Sequence, residues 1–401
     1  MIRARARVAT LATVVALAAC APLRAPPPST PICPPCAVPP APPPTKARYE
    51  QKSFAELPGW AQATLAASLQ AFVTGCARIS DASPLRAACA QAQGIRANDE
   101  RAARGFFENA FAPYQVIAPD GSSTGLVTGY YEPILSGSLE RTDLYRFPIY
   151  GVPQDLVVVD LASLHPELKH LRLRGRLEGR RLVPYYSRAE IEQRTRAAGN
   201  GDGLPAPVIA WVSDPVELFF LQIQGSGQIR LDSGARIRVG YADQNGYPYS
   251  SLGRYLIDQG ALGPDQASMQ GIKAWAETHP AKLQQALDSN ASYVFFRELP
   301  ASDAGPIGAL GAALSARYSL AVDARYIPLG APIFLATTYP LSERPLERLM
   351  LAQDTGGAIR GALRADFFWG SGDAAGALAG RMRQAGRMWL LWPRGIALPN
   401  R

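Results

Sequence analysis

The chain has 401 residues, a length that predicts two or three domains. It is 47% hydrophobic and 18% charged, which excludes disorder throughout. Five cysteines exclude a disulfide-dense scaffold, and three histidines leave little material for a zinc site or a histidine-based triad. The basic residues behind the net charge of +8 are scattered rather than arranged in a stripe, so we expect no nucleic-acid partner.

The first 20 residues predict an export signal that ends in a lipidated cysteine. Arg3, Arg5 and Arg7 precede the apolar run 8–19, which is short for a membrane span but typical of a signal peptide. Cys20 closes a Leu-Ala-Ala-Cys box that resembles the bacterial lipoprotein cleavage site. Several acyl chains on one residue anchor stably. The next residue is Ala rather than Asp, which favours the periplasmic face of the outer membrane.

Residues 21–48 form a proline-rich tether, for which the composition predicts polyproline II structure. Cys33 and Cys36 lie within it between prolines, which disfavours a thioredoxin-like site and favours a local disulfide or two idle thiols. Cys76 and Cys89 lie in a region of helical periodicity and can pair, because an exported protein meets an oxidising compartment. The sequence leaves the redox state of both pairs open.

The remaining chain predicts a mainly β fold with flanking helices. Residues 52–112 show helical spacing, whereas short β-rich runs separated by turn residues begin at about 115 and indicate a barrel or sandwich. One run, Phe219–Gln224, alternates glutamine with apolar residues and predicts a strand with Gln222 and Gln224 on one face. The later predicted elements are helices over 252–287, β-rich runs between 293 and 353, a helix over 374–385 and a strand over 387–392.

The sequence lacks the common nucleophile-elbow, phosphate-loop and zinc-helix motifs, so we expect no cofactor and no metal. Instead, Asp323, Asp354 and Asp366 each follow or end an apolar run, and glycines come close behind the second and third. Aspartate is depleted in strands, and beside glycines at a strand end it leaves room for a ligand. Taken singly, each aspartate could equally satisfy loop amides.

Asp366 differs from the other two because three aromatic residues follow it, Phe367, Phe368 and Trp369. If they pack around the carboxyl group, they desolvate it and raise its pKa. A carboxylic acid that stays protonated near neutral pH can act as a general acid. The alternative is that the three aromatic residues simply belong to the core.

Eight segments between residues 128 and 372 carry longer motifs. They are TGYYEP (128–133), LVPYYSRAEI (182–191), FFLQIQGSG (219–227), VGYADQNGYPYSSLG (239–253), ASYVFFRE (291–298), AVDARYIPLG (321–330), QDTGGAIRG (353–361) and ADFFWGSG (365–372). In this order they resemble the membrane-bound lytic murein transglycosylase A family. The last three also resemble the three-aspartate module at the C-terminus of such enzymes.

The resemblance implies a double-psi β-barrel catalytic domain that includes the N-terminal helices and is built from residues 49–132 and 291–401. A second, smaller β-barrel domain, residues 133–290, is inserted between these segments. The groove between the two domains holds a glycan strand of peptidoglycan. Proteins of cell-wall synthesis or division are further candidate partners, which no motif specifies.

The family cleaves the β-1,4 bond between N-acetylmuramic acid and N-acetylglucosamine and leaves a 1,6-anhydro end. Its catalytic acid, which then acts as base, carries over to Asp366, with Asp354 in a supporting role and Asp323 as a structural acid. The sequence does not distinguish exo from endo action. Residues expected to line the groove are Thr128, Tyr130, Tyr131, Gln224, Gly225, Ser226, Gly356 and Gly357.

Three alternatives remain open at this stage. A hydrolytic muramidase would use Asp366 and Asp354 as a pair of carboxylates. A non-catalytic glycan-binding module, as in double-psi barrels of the expansin type, would need neither acid for cleavage. A purely structural envelope lipoprotein would lack the groove.

Overall fold

The computed structural model describes residues 46–161, 163–165, 168, 173–198, 203–300 and 305–399. The predicted signal peptide, Cys20, most of the tether and the Cys33–Cys36 pair lie outside the described residues. Within these ranges, no helix combines the length and the apolar character needed to cross a membrane.

The strands lie mainly in two groups, before residue 245 and after residue 293. They are β1 (Arg48–Gln51), β2 (Phe111–Ile117), β3 (Gly125–Glu132), β4 (Ile134–Ser138), β5 (Phe147–Tyr150), β6 (Val157–Val158), β7 (Arg174–Glu178), β8 (Arg181–Pro184), β9 (Val208–Val212), β10 (Ser226–Leu231), β11 (Arg236–Gln244), β12 (Val294–Leu299), β13 (Ser319–Val322), β14 (Pro332–Thr338), β15 (Pro345–Asp354), β16 (Ala365–Ser371) and β17 (Arg383–Pro393). The helices are α1 (Ala66–Cys76), α2 (Arg86–Ala92), α3 (Glu100–Ala110), α4 (Arg188–Ala198), α5 (Pro215–Gln224), α6 (Leu252–Asp258), α7 (Met269–Thr278), α8 (Pro280–Asp288) and α9 (Asp373–Ala379).

A closed ring of strands forms the first layer of the fold. The strands β17, β14, β15, β13, β16 and β3 lie side by side in that order, and β17 pairs again with β3 from Arg383↔Thr128 to Gly386↔Gly125. Two of the pairs in the ring are parallel, β13 with β15 and β16 with β3. The mainly β fold is therefore confirmed, and the closed ring agrees with the expected barrel.

The barrel and the N-terminal helices share one apolar core. Phe334, Phe367 and Trp389 fill it from the strands, and Phe72 and Phe107 fill it from α1 and α3. A disulfide joins Cys76 at the end of α1 to Cys89 in α2, which settles the redox state that the sequence left open for this pair. Closing a loop of this length restricts the unfolded chain and contributes about 3 kcal/mol of stability.

A second sheet has the strand order β12-β11-β10-β4-β9-β5. Its edge strands β5 and β12 are not joined by any described pairing, yet both supply side chains around one core, so the sheet is strongly curved. The strand β12 pairs with β11, from Arg238↔Leu299 to Gln244↔Val294. This segment therefore joins the second sheet, although the predicted boundary at 290/291 assigns it to the first domain. The domain boundaries themselves stay a prediction.

The prediction of a strand at Phe219–Gln224 is wrong, because these residues form the second half of the helix α5. Asp214 caps the helix by accepting hydrogen bonds from two backbone amides, Pro215 occupies the first turn, and Gly225 ends the helix with a φ of 77°. Successive residues on a helix are rotated by about 100°, so Gln222 and Gln224 point roughly 200° apart instead of sharing a face.

The helix predicted over 374–385 is shorter than expected. It ends at Ala379, and the strand β17 already begins at Arg383. Residues 383–386 pair with β3, and this pairing closes the barrel. Ring closure therefore places residues 383–386 in the strand, although Arg383, Gln384 and Ala385 are residue types that also suit a helix.

Candidate active site

The strand β3 carries the TGYYEP motif and presents two different faces. Because side chains alternate along a strand, Thr128, Tyr130 and Glu132 share one face and Gly129 lies on the other. A Cβ atom at Gly129 would come within 2.7 Å of the Trp369 indole nitrogen. Only glycine allows this close approach, so Gly129 has a packing role.

Tyr131, which was expected to line the groove, lies in the core instead. It is 5% exposed, and its hydroxyl group donates to the Met269 sulfur at 2.9 Å. Its ring packs so closely on α9 that a Cβ atom at Gly376 would come within 2.9 Å of it. The alternation of β3 explains this position, since Tyr131 shares the Gly129 face.

Asp366 lies on β16, directly opposite Thr128 of β3. The Thr128 hydroxyl donates to Oδ1 of Asp366 at 2.6 Å. Of the three aromatic neighbours, only Phe368 shares the Asp366 face, and its ring packs against Tyr130 in a tilted arrangement at a centroid distance of 5.1 Å. Phe367 and Trp369 point into the barrel core. The expected aromatic surroundings therefore come from one strand neighbour and from Tyr130.

The pKa of Asp366 is raised from its ordinary value of 3.8 to about 6. Burial is the largest cause, because it disfavours the charged form, and the negative charge of Asp354 adds to it. The Thr128 hydrogen bond and the Arg364 charge act in the opposite direction. The carboxyl group can therefore hold a proton in mildly acidic solution, as a general acid requires.

Asp354 reaches the same face from β15. Ala321 of β13 pairs with both Asp354 and Asp366, so the two aspartates flank one strand. Two strand spacings separate their Cα atoms by about 10 Å. Oδ1 of Asp354 accepts from the amides of Ala309 and Thr355, both at 2.9 Å, and the Tyr130 hydroxyl donates to Oδ2 at 3.0 Å.

The pKa of Asp354 is raised by burial, although its three hydrogen bonds oppose the shift. The pKa of Tyr130 is also raised well above its ordinary value, first by burial and then by the charges of Asp354 and Asp366. Tyr130 therefore keeps its proton and acts as a hydrogen-bond donor between the two acids.

Asp323 lies apart from the other two aspartates, just after β13. It accepts from the Arg325 guanidinium at 2.6 Å and from the Gly361 amide at 2.7 Å. Burial opposes its charged form, but these donors outweigh burial and hold its pKa below the ordinary value. The contacts fit the structural role predicted for Asp323, because they tie the loop after Asp354 to the end of β13.

The remaining predicted groove residues lie in two turns. Oε1 of Gln224 accepts from the Tyr131 amide at 3.0 Å, which brings the turn at Gly225 and Ser226 beside β3. Gly356 and Gly357 follow Asp354 in a loop, and a Cβ atom at Gly357 would meet nothing within 4 Å. Among the described residues, no group of three or more His, Cys, Asp or Glu side chains is placed to hold a metal ion.

Two residues of this face escaped the sequence-based prediction, Arg364 and Glu132. The Arg364 guanidinium donates to Thr128 Oγ1 at 2.7 Å. Glu132 is 1% exposed and accepts from Ser371 at 2.6 Å. The alternation of side chains along a strand could have indicated both residues. Glu132 lies four residues after Thr128, and Arg364 lies two residues before Asp366, so each falls on the same face as its neighbour.

Two family models match the chain. Residues 126–297 match the MltA specific insert domain, and residues 318–392 match the 3D domain. The membrane-bound lytic murein transglycosylase A of Escherichia coli (strain K12) is 33% identical over 287 residues, which cover 69% of this chain and 68% of that protein. The protein of the same name from Vibrio cholerae is 28% identical over 291 residues, with 69% and 68% covered.

Solved structures agree with these matches. A crystal structure of MltA from Neisseria gonorrhoeae is 44% identical, with a TM-score of 0.77, and covers 88% of this chain and 95% of its own. The structure of E. coli MltA with bound chitohexaose is 28% identical, with a TM-score of 0.64, and covers 86% and 94%. The fold and these matches define the chain as an enzyme, a lytic transglycosylase. It belongs to the membrane-bound lytic murein transglycosylase A family.

Proposed function

We propose that this enzyme cleaves the N-acetylmuramic acid–β-1,4–N-acetylglucosamine bond of peptidoglycan and leaves a 1,6-anhydro-muramic acid end. One observation carries the proposal. Asp366 has a pKa raised to about 6, and its carboxyl group is held at one oxygen by Thr128. A relative named for murein and a relative with a bound sugar chain support the substrate class.

In the proposed reaction, Asp366 acts first as acid and then as base. Its proton passes to the glycosidic oxygen, the bond from C1 to this oxygen breaks, and the N-acetylglucosamine side leaves with a hydroxyl group. The C6 hydroxyl of muramic acid then attacks C1, and its proton returns to Asp366. No water is consumed. The nucleophile belongs to the substrate, so its effective concentration can reach about 10⁵ M or more.

We propose a supporting role for Asp354. A carboxylate has about four acceptor positions, and three of those on Asp354 are taken by Ala309, Thr355 and Tyr130. Little capacity remains to activate a water molecule, which favours a single acid over the two-carboxylate hydrolase. The charge of Asp354 would stabilise the positive charge that develops on the sugar, and it helps to raise the pKa of Asp366.

The groove for the glycan strand is proposed to run along the face that holds Asp366. Thr128 and Tyr130 lie on this face, and the turn at Gln224–Ser226 and the Gly356–Gly357 loop supply further candidate contacts. Without Arg3, Arg5 and Arg7 of the predicted signal peptide, the net charge of +8 becomes 8 − 3 = +5, which still suits an anionic polymer that carries lactyl and peptide carboxylates.

The products of digestion test the proposed reaction. We expect purified sacculi treated with the enzyme, in water labelled with heavy oxygen, to release muropeptides that are one water lighter than reducing-end products and carry no label. Mass spectrometry measures both properties. Labelled reducing ends would instead establish the two-carboxylate hydrolase. Binding to sacculi without any release of muropeptides would support the alternative that the protein is a non-catalytic glycan-binding module.

We further propose that Cys20 carries a lipid anchor on the periplasmic face of the outer membrane. The proline-rich tether would then let the catalytic domain reach the peptidoglycan layer. Cys20→Ala is expected to move the protein from the membrane pellet to the soluble fraction of the cell envelope, as detected by immunoblot. Cys33→Ala, a change within the tether, should stay in the pellet. If Cys20→Ala also pellets, the membrane attachment does not depend on this cysteine.

A further inference from the structure

Arg364 and Thr128 form a hydrogen-bonded chain that ends on Asp366. The Arg364 Nη2 atom lies 2.7 Å from Thr128 Oγ1, and this oxygen lies 2.6 Å from Asp366 Oδ1. We infer that Arg364 is a positioning residue that acts through Thr128 to place the transferable proton of Asp366 on Oδ2. The inference rests on the proposed function, because it takes Asp366 as the acid.

The direction of this chain follows from counting hydrogens. A guanidinium group has donors and no acceptor, so Arg364 must donate to Thr128. The hydroxyl of Thr128 has one hydrogen, and with Arg364 as a donor this hydrogen points to Oδ1 of Asp366. Oδ1 therefore accepts a hydrogen bond in both protonation states. When the carboxyl group is neutral, its own proton lies on Oδ2.

Oδ2 of Asp366 is the oxygen that a substrate can reach. Within the described part of the chain, the hydrogen bonds to Asp366 involve Oδ1 alone. The Asp366 side chain is partly exposed, so the oxygen that Thr128 does not hold is the one open to a substrate. The atom that carries the proton is thus the atom that faces outward. The same oxygen would take the proton of the C6 hydroxyl in the second half of the reaction.

Arg364 itself is held by the backbone. Its Nη1 atom donates to the carbonyl oxygen of Ala365, while Nη2 donates to Thr128. This arrangement uses the two arms of a planar guanidinium group for two different acceptors. Burial lowers the pKa of Arg364, but an arginine side chain stays charged in proteins. A lysine at this position would keep the charge and lose the two-armed geometry.

The hydrogen-bonded pair Arg364 and Thr128 also affects the pKa of Asp366. The charged and titratable groups that face Asp366 are Arg364 beside its own strand, Asp354 on β15, Tyr130 on β3 and, by its register with Thr128, the exposed Arg383 on β17. Among them, the Arg364 charge lowers the pKa of Asp366, as does the hydrogen bond from Thr128. Loss of either residue should therefore raise the pKa of Asp366.

The test measures the release of anhydro-muropeptides from soluble glycan strands as a function of pH, with the full-length chain. A general acid acts in its protonated form, so kcat/KM of the wild type should fall above about pH 6. We call this fall in kcat/KM at high pH the alkaline limb of the pH profile. In Arg364→Gln and Thr128→Val, we expect the alkaline limb to move to higher pH. We also expect kcat to fall roughly 10- to 100-fold, because the acid loses its orientation, while KM changes little.

Further variants separate positioning from folding and from charge. The double variant Arg364→Gln/Thr128→Val should lose no more activity than Thr128→Val alone, because both residues act through one hydrogen bond. Thr128→Ser keeps the hydroxyl group and should retain near wild-type kcat. Arg364→Lys should leave the pH of the alkaline limb close to that of the wild type, because the charge is kept, and should lower kcat, because the two-armed geometry is lost. The matched control is Arg387→Gln, which removes an exposed arginine of β17 that pairs with Ala336, away from Asp366.

An unchanged alkaline limb in Arg364→Gln, or independent and additive losses in the double variant, would overturn the role of Arg364. If both Arg364 variants fail to fold, the comparison of Thr128→Val with Thr128→Ser still decides whether the hydroxyl group positions the acid. Asp366→Asn is included in the same assay. Full activity in that variant would refute the proposed function itself, an outcome distinct from the failure of the positioning role.

Discussion

Asp366→Asn is expected to lower kcat for the release of anhydro-muropeptides by about 10⁴-fold. Asparagine cannot donate a proton to the glycosidic oxygen or accept one from the C6 hydroxyl, and general acid–base catalysis contributes up to this factor. The hydrogen bond from Thr128 to Oδ1 can be kept by the amide oxygen, so the binding of glycan should change little. Product release from purified sacculi, followed by mass spectrometry, measures the loss.

The same substitution is expected to make the protein more stable at alkaline pH. The pKa of Asp366 is raised to about 6 in the folded protein. The neutral carboxyl group therefore contributes stability to the fold that is fully present below pH 4 and is lost as the pH rises through 6. The shift corresponds to roughly 3 kcal/mol. At pH 8, Asp366→Asn should therefore raise the free energy of unfolding by about 3 kcal/mol, and the gain should disappear near pH 4.

A matched control distinguishes these effects from a general change of charge. Asp373→Asn alters an exposed aspartate seven residues away, in the first turn of α9, and should leave activity close to that of the wild type. Urea denaturation at both pH values measures the stability of each variant. Substantial anhydro-product release by Asp366→Asn would contradict its role as the acid. Inactivity together with lower stability at pH 8 would indicate misfolding instead.

Glu132→Gln is expected to lower the free energy of unfolding by about 3–5 kcal/mol. Glu132 and Arg238 are 1% and 5% exposed, and their charged groups lie 3.2 Å apart. Breaking a buried ion pair by removing one of its two charges has a cost of this size. Glu132 also accepts from Ser371 and Gln228, so two further hydrogen bonds weaken.

The position of Glu132 extends the expected effect to activity. Glu132 lies on β3 of the barrel, whereas Gln228 and Arg238 lie on β10 and β11 of the second sheet. The network therefore fixes the second sheet against the strand that carries Thr128. We expect Glu132→Gln to bind glycan more weakly even at a temperature at which it remains folded.

The double variant Glu132→Gln/Arg238→Met tests the origin of the loss. Removing both charges should recover part of the stability, because the arginine charge is then no longer buried in this junction without Glu132. Urea denaturation of the wild type, both single variants and the double variant completes the cycle. A loss below about 1 kcal/mol in Glu132→Gln, or no recovery in the double variant, would show that the ion pair is not what stabilises this junction.

The local features of this protein were predictable where the signal lay within a few residues. The three aspartate loops are local motifs, and the family assignment that followed from the motifs is confirmed by the matches. The Cys76–Cys89 disulfide was left open by the sequence and is shown by the structure. The strand at Phe219–Gln224 shows the limit of local patterns. Its alternation over six residues suggested β structure, but Asp214-Pro215 and Gly225 carried the capping signals of a helix.

The sequence by itself identified Asp366 as an aspartate followed by three aromatic residues, and the family resemblance made it the expected catalytic acid. Only the tertiary structure decided which groups surround its carboxyl. Thr128 lies 238 residues away in the chain and reaches Asp366 through the parallel pairing of β3 with β16. Asp354 approaches because β13 lies between the two acids. Strand pairing and ring closure are long-range choices of the whole chain, so no local pattern specifies them.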